Sequence, residues 1–323
     1  MRIIFAGSPG FAVPSLERLV ASEHQVVAVV TQPARPRGRG LALVDPPVKT
    51  WAAGRGLTVF QPEKFNSPDF LETLAGLRPD LVLTAAYGRI FRRRALGLAR
   101  LGCVNLHASL LPKYRGVAPV NWAIMAGEAE SGVTTFFMDE GVDTGDVIES
   151  RRTEIGPDET AGDLLDRLAV LGADLVVRTC ELVASGSAPR LKQDQSQASY
   201  APKLSKQDGR VAWSKGARAV HDHIRGVSPW PGAFSFLKGE QIKIIESRLF
   251  EGDPASYAQP LARPGEGTAE QATVIAVDSA RGILLSCGVG LLWLKTLQAP
   301  GKKPTAGADF ARGRRIEAGD TFG

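Results

Sequence analysis

Asn105 and His107 stand two residues apart at the end of an apolar run, directly before the turn Ser109-Leu110-Leu111-Pro112. In an extended strand, residues i and i+2 share a face. A strand over about 101–106 would therefore project a carboxamide and an imidazole together from its carboxyl end. Further on, Met138 to Asp146 forms a Gly-rich acidic loop able to bring a carboxylate to the same point. Amide, imidazole and carboxylate make an acyl-transfer set. Amide N–H groups stabilise a developing oxyanion, and an imidazole with a reference pKa of about 6.5 can donate a hydrogen bond or carry a proton near neutrality. Singly, these residues have ordinary structural uses. An Asn at a strand end commonly caps the next turn, and Asp139, Asp143 and Asp146 could suggest a cation loop. The EF-hand spacing and its closing Glu are missing, so calcium is not expected.

The first half of the chain has the alternation needed to position such a set. Short apolar runs at 2–6, 25–31, 80–86 and 103–106 read as strands, with helical patterns at 14–22, 47–53 and 69–77 between them. Strand-helix alternation implies βα units and a doubly wound, mostly parallel sheet. A further strand is expected at 132–138, and 160–185 carries a long amphipathic pattern through Leu164, Leu165, Leu168, Leu171 and Leu175. After it the composition turns polar. The boundaries expected are a catalytic domain over 1–191, a linker over 192–207 and a C-terminal domain over 208–323. The last part reads as one helix over 215–225, then short β runs at 233–237, 242–246, 273–277, 282–286 and 291–297, a spacing that suits a small barrel.

At 323 residues the chain can hold two cores. No apolar run approaches the roughly 18–20 residues needed to span a bilayer, and the opening Met1-Arg2-Ile3-Ile4-Phe5-Ala6 reads as a buried strand rather than a cleavable signal, so a cytoplasmic protein is expected. Cys103, Cys180 and Cys287 have no metal-ligand spacing; core thiols and no metal are expected. Residues 203–323 hold 17 Lys and Arg against 12 Asp and Glu, the whole of the chain's net +5. That excess is compatible with an RNA-binding surface without demanding one. Gly7-Ser8-Pro9-Gly10 lacks GxGxxG spacing, and Pro9 removes a donor that a phosphate cradle would use, which argues against a nucleotide fingerprint.

Asn and His ahead of Ser-Leu-Leu-Pro, with a distant Asp, resembles the formyltransferases that use 10-formyltetrahydrofolate. Phe5-Ala6-Gly7-Ser8-Pro9, Thr31-Gln32-Pro33, Ala86-Tyr87-Gly88, Ser228-Pro229-Trp230-Pro231-Gly232-Ala233 and Gln298-Ala299-Pro300-Gly301-Lys302-Lys303 extend the resemblance over nearly the whole chain. They point to the branch that formylates the methionyl amine of initiator tRNA. Gly10 and Ala34 stand where that branch commonly has an Asp. The resemblance implies an OB-like barrel and 10-formyltetrahydrofolate as formyl donor. It implies Asn105, His107 and Asp143 as the catalytic set, with Asp143 orienting His107, holding a water or accepting charge from the attacking amine. Ser109, Leu110, Leu111 and Pro112 match the folate-binding turn, and Ala86, Tyr87 and Gly88 would line the pterin side. Arg39 matches the position that engages the tRNA acceptor end. Arg37 lies beside it in an Arg- and Gly-rich loop, and Lys302 and Lys303 would add phosphate contacts. A monomer is expected. The rival readings are a folate formyltransferase acting on a small amine, such as an amino-sugar nucleotide or glycinamide ribonucleotide, and a catalytically inactive tRNA-binding protein.

Overall fold

A computed structural model of the chain describes residues 1–37, 42–252 and 271–323. In chain order the elements begin with β1 (Arg2–Gly7), α1 (Val13–Val20), β2 (Gln25–Val30), β3 (Arg35–Arg37), β4 (Ala42–Val44), α2 (Pro47–Ala53), β5 (Val59–Phe60), α3 (Pro68–Gly76), β6 (Leu81–Ala85) and α4 (Arg93–Leu96). They continue with β7 (Cys103–His107), β8 (Arg115–Gly116), α5 (Pro119–Met125), β9 (Glu130–Phe137), β10 (Val147–Glu154), α6 (Ala161–Ala184), β11 (Tyr200–Ala201) and α7 (Ala217–Gly226). The rest are β12 (Ala233–Leu237), β13 (Glu240–Leu249), β14 (Ala272–Asp278), β15 (Gly282–Ser286), β16 (Leu291–Gln298), β17 (Thr305–Ala306), α8 (Gly307–Arg314) and β18 (Thr321–Phe322). Two compact units result: one comprises residues 1–119, 130–154 and 164–202, the other 120–129, 155–163 and 203–323.

The first unit is built on a seven-stranded sheet of order β10-β9-β7-β6-β1-β2-β5. β5, β2, β1, β6 and β7 run parallel, as the alternation of apolar runs and helices implies, and β9 and β10 are antiparallel. The apolar strands are buried because helices cover them. On β7, Leu106 faces α6, where a Cβ on Gly172 would lie 2.7 Å from Leu106 Cδ2. Cys103, Asn105 and His107 therefore take the opposite face. β10 is absent from the sequence reading. It is the sheet edge, with Ile148 its one buried residue and charged residues at 149, 151, 152 and 154. Such charges deter edge-to-edge pairing and also erase an apolar alternation. The polar stretch read as a linker is structured in its first part: Tyr200–Ala201 pairs parallel with Arg115–Gly116, and Lys192 Nζ lies 2.8 Å from Asp146 Oδ1.

The second unit holds a closed barrel of six antiparallel strands, β13-β12-β18-β14-β15-β16, sealed by β16 pairing back on β13. β18 bridges the gap through Phe322, which pairs with both Leu237 and Ala272. β12 and β13 join through Lys238 (φ 51°) and Gly239 (φ 81°), the two positive-φ residues of a tight hairpin. Trp213 is fully buried, donates from Nε1 to Ser235 Oγ at 2.8 Å and sits edge-on to Phe322. It fills the core, whereas Trp230 is 52% exposed. The segment 155–163 is tied to α7: Arg225 Nη1 donates to the carbonyls of Gly156 and Glu159, and His221 Nε2 donates to that of Pro157.

Candidate active site

β1, β6 and β7 are parallel neighbours, so the segments leaving their carboxyl ends emerge side by side, where open α/β sheets bind ligands. Asn105 lies opposite Thr84 in the β6–β7 register. The Thr84 hydroxyl donates to Asn105 Oδ1 at 2.5 Å. This bond decides which end of the carboxamide is which, and leaves the Nδ2 donors without a protein acceptor among the described residues. Two positions on, His107 is 6% exposed, and its Nε2 lies 2.9 Å from the carbonyl oxygen of Tyr114. A carbonyl only accepts, so Nε2 carries a proton and the second proton-binding position is Nδ1. Nδ1 is 3.7 Å from Asp143 Oδ2. Sequence periodicity paired Asn105 with His107; the tertiary fold brings Asp143 to His107.

Asp143 is held from several directions. Its Oδ2 accepts from the backbone N–H of Gly116 at 2.8 Å. Its own carbonyl and that of Gly145 accept from Gln193 Nε2 at 2.9 and 2.7 Å. Its φ of 54° is a left-handed conformation that a non-Gly residue keeps only under such constraint. Gly145 is required: a Cβ there would sit 1.7 Å from the Phe137 carbonyl oxygen. The three acidic residues of the loop serve separate ends. Asp139 Oδ1 accepts from Gly141 N–H and Thr144 Oγ1, and Asp146 pairs with Lys192, so they do not gather around a cation.

The turn after His107 is equally fixed. Ser109 Oγ donates to the Lys113 carbonyl at 2.7 Å, and the Thr134 hydroxyl donates to the Ser109 carbonyl at 2.7 Å while accepting from Leu111 N–H at 3.2 Å. The Leu111–Pro112 bond is cis. Leu110, Leu111 and Pro112 are half-buried. On the β6 side, Ala86 (φ 48°) and Gly88 (φ 74°) are exposed and flank a buried Tyr87. The Tyr87 ring packs edge-on against Phe65 and Phe91, and burial pushes its hydroxyl up to about 12. Its side chain thus anchors the turn while its neighbours are exposed. Gln32 links these segments, donating from Nε2 to the Tyr87 carbonyl at 3.0 Å and from its backbone N–H to Ser8 Oγ at 3.0 Å. A Cβ on Gly10 would meet nothing within 4 Å, so the position does not demand glycine.

Arg39 falls outside the described residues, and Arg37 contributes its backbone to the β3–β4 pair. Lys302 and Lys303 are exposed on the turn between β16 and β17 in the barrel unit. Cys103, Cys180 and Cys287 are buried free thiols, each pushed up to about 12 by burial. Among the described residues no helix is long and apolar enough to cross a membrane. Sequence reasoning missed Thr84, Arg115, Gln193 and Tyr114. Their roles depend on hydrogen bonds across 21, 78, 50 and 7 positions, and none has a periodic signature.

Comparison with known proteins identifies the family of the chain. Residues 1–180 match the family model described as formyl transferase, and residues 203–315 match the formyl transferase C-terminal domain. The methionyl-tRNA formyltransferase of Moorella thermoacetica is 44% identical over 323 residues, covering all of this chain and 99% of its own. That of Ruminiclostridium cellulolyticum is 42% identical over 324 residues, with both chains covered completely. Among solved structures, an N-formyltransferase from Helicobacter canadensis, in complex with folinic acid and dTDP-3-aminofucose, superposes with a TM-score of 0.66 at 21% identity, covering 90% of this chain and 98% of that one. HypX from Aquifex aeolicus in complex with tetrahydrofolic acid gives a TM-score of 0.59 at 19% identity, covering 96% of this chain and 47% of that one. At these identities the two structures speak to the fold.

Proposed function

The chain belongs to the methionyl-tRNA formyltransferase family, and from that premise we propose that it moves the formyl group of 10-formyltetrahydrofolate to the α-amino group of methionyl initiator tRNA. The observation that carries the catalytic assignment is the convergence of Asn105, whose Nδ2 has no acceptor among the described residues, with the His107–Asp143 pair at the carboxyl end of one parallel strand. A folate-type donor supplies an amide-like formyl carbon with an amine nitrogen as leaving group. Exposed backbone at Ala86 and Gly88 beside the half-buried Leu110, Leu111 and Pro112 fits a flat heterocycle with polar edges.

Asn105 Nδ2 donates to the formyl oxygen as it becomes an oxyanion, a term commonly worth about a hundredfold or more in rate. With Nε2–H committed to Tyr114, the neutral imidazole presents a lone pair at Nδ1, and Asp143 presents another acceptor 3.7 Å away. Two converging acceptors suit a group rich in N–H donors. An α-amino group titrates near about 8 and is largely protonated at neutral pH, so these acceptors hold it and take the proton it must lose. That first proton leaves to solvent; the neutral amine nitrogen then bonds to the formyl carbon, its second proton passes to His107 Nδ1, and His107 delivers it to the folate nitrogen as the carbon–nitrogen bond to the folate breaks. Asp143 steadies the transient imidazolium, as the carboxylate does in hydrolase triads.

The acceptor tRNA is held through phosphates by the basic C-terminal stretch 203–323 and recognised by the Arg-rich loop, with Arg39 and Arg37 at the acceptor end and Lys302 and Lys303 as phosphate contacts. A role in translation initiation places the activity in the cytoplasm. The test is formyl transfer from labelled 10-formyltetrahydrofolate to methionyl initiator tRNA, methionyl elongator tRNA and a panel of small amines. Transfer to the initiator is expected. Transfer confined to small amines would overturn the acceptor assignment, and no transfer to any acceptor would overturn the enzymatic one.

A further inference from the structure

We infer that Arg115 and Gln193 form a positioning device for Asp143, a role that rests on Asp143 acting in the reaction proposed above. Arg115 is 1% exposed. Its guanidinium donates from Nε and Nη2 to Gln193 Oε1 at 3.1 and 2.7 Å, and from Nη1 to Gln195 Oε1 at 2.8 Å. Among the described residues no carboxylate forms an ion pair with it. A buried cation satisfied only by neutral amides is costly, since attraction to an anion would offset its desolvation far better. Such an arrangement is retained where the amide does something a carboxylate cannot.

Here the amide is bipolar. The Oε1 of Gln193 takes the guanidinium, and its Nε2 donates to the carbonyls of Asp143 and Gly145 at 2.9 and 2.7 Å. A Glu at this place would pair with Arg115 as well or better and have no N–H for the loop. Charge on the guanidinium polarises the amide and strengthens its N–H donors. The residue after Arg115 closes the circuit: Gly116 N–H donates to Asp143 Oδ2 at 2.8 Å. Gly116 sits at φ 117°, and a Cβ there would lie 2.8 Å from the Ala201 carbonyl oxygen, so this N–H has little room to move. Backbone and side chain of Asp143 are thus referenced to two adjacent residues, 115 and 116. The pair holds the left-handed turn that aims the carboxylate at His107 Nδ1.

The test compares Gln193→Glu with wild type in kcat, in KM for both substrates and in thermal midpoint, each also measured in an Asp143→Asn background by single turnover. The expected result is a fall in kcat of about tenfold to a hundredfold, with KM and midpoint little changed. The same substitution should have no further effect once Asp143 is Asn, because the device acts through that carboxylate. Gln195→Ala, which removes one bond to Arg115 without touching the loop, should cost much less. Unchanged kcat in Gln193→Glu overturns the inference, as does an equal loss with and without Asp143. If Gln193→Glu fails to fold, Gln193→Met, of similar shape and without either polar atom, carries the same comparison per folded molecule. Asp143→Asn alone separates the two readings: if it retains full turnover, the catalytic assignment fails; if it loses turnover while Gln193→Glu and Gln193→Met do not, only the positioning role fails.

Discussion

The imidazole of His107 and the carboxylate of Asp143 approach to 3.7 Å between Nδ1 and Oδ2, while the far nitrogen of the same ring is tied to the Tyr114 carbonyl at 2.9 Å. The second contact governs the first. By fixing the proton on Nε2, Tyr114 leaves Nδ1 as the ring's second proton-binding position, beside the Asp143 carboxylate. His107→Ala and Asp143→Asn should each lower kcat by at least about a hundredfold, with tRNA affinity nearly unchanged. Near-wild-type kcat in a folded variant of either would remove that residue from the mechanism.

Thr84 supplies the hydroxyl that orients the Asn105 carboxamide. Thr84→Val keeps the shape and removes the donor, so the amide is free to turn its oxygen toward the formyl group. A drop of roughly tenfold in kcat is expected, smaller than the roughly hundredfold or greater loss for Asn105→Ala, with recovery in Thr84→Ser. Thr84→Ser behaving like Thr84→Val would show that packing rather than the hydroxyl matters.

Gly145→Ala should damage the site from the backbone. The added Cβ would come within 1.7 Å of the Phe137 carbonyl oxygen and 2.9 Å of its carbon, so the loop must shift. Stability should fall by about 1–3 kcal/mol, and kcat per folded molecule by about a hundredfold as Asp143 moves away from His107. Circular-dichroism melting together with single-turnover kinetics reads both effects, and an active, equally stable variant would contradict the close packing.

The barrel unit should lose stability in acid. Burial is the largest cause holding both His221 and His223 below the ordinary imidazole value. For His223, Lys215 acts in the same direction, while Gly209 and Asp208 oppose it, and its Nε2 is buried without a hydrogen-bond partner among the described residues. The unfolded chain therefore binds more protons than the folded one below about pH 6.5. Stability from these groups is present at neutral pH and declines as pH falls from there toward the lowered folded values. Urea midpoints between about pH 7.5 and 5.5 should show this decline, and His223→Gln should make it shallower; an equally steep decline in that variant would exclude His223 as a source.

Salt dependence separates the two classes of tRNA contact. Lys302→Ala and Lys303→Ala should weaken binding of any tRNA and reduce the slope of log affinity against log salt by about one each. Arg39→Ala should instead lower kcat/KM for the initiator tRNA with folate binding intact, and Lys should restore little because it lacks the planar fork. Equal kinetics for wild type and Arg39→Ala would return that loop to an ordinary solvated segment.

What the sequence determined by itself was whatever repeats over short distances. Apolar alternation with helical patterns specifies a parallel sheet, and the two-residue spacing of Asn105 and His107 specifies that both leave one face of β7, because side-chain direction in a strand depends only on parity. The tertiary structure decided the rest. Whether Thr84 and Asp143 meet this strand, and whether Gln193 and Arg115 hold Asp143, depends on contacts between residues 21 to 80 positions apart. The link between β12 and β14 in the barrel depends on two residues, Thr321 and Phe322, too few to show a period. β10 carries charges because it is the sheet edge, and the polar stretch after residue 191 carries no apolar pattern because its partners are polar groups. A polar contact needs only one well-placed donor and one acceptor, and nothing local in the chain encodes where its partner will be.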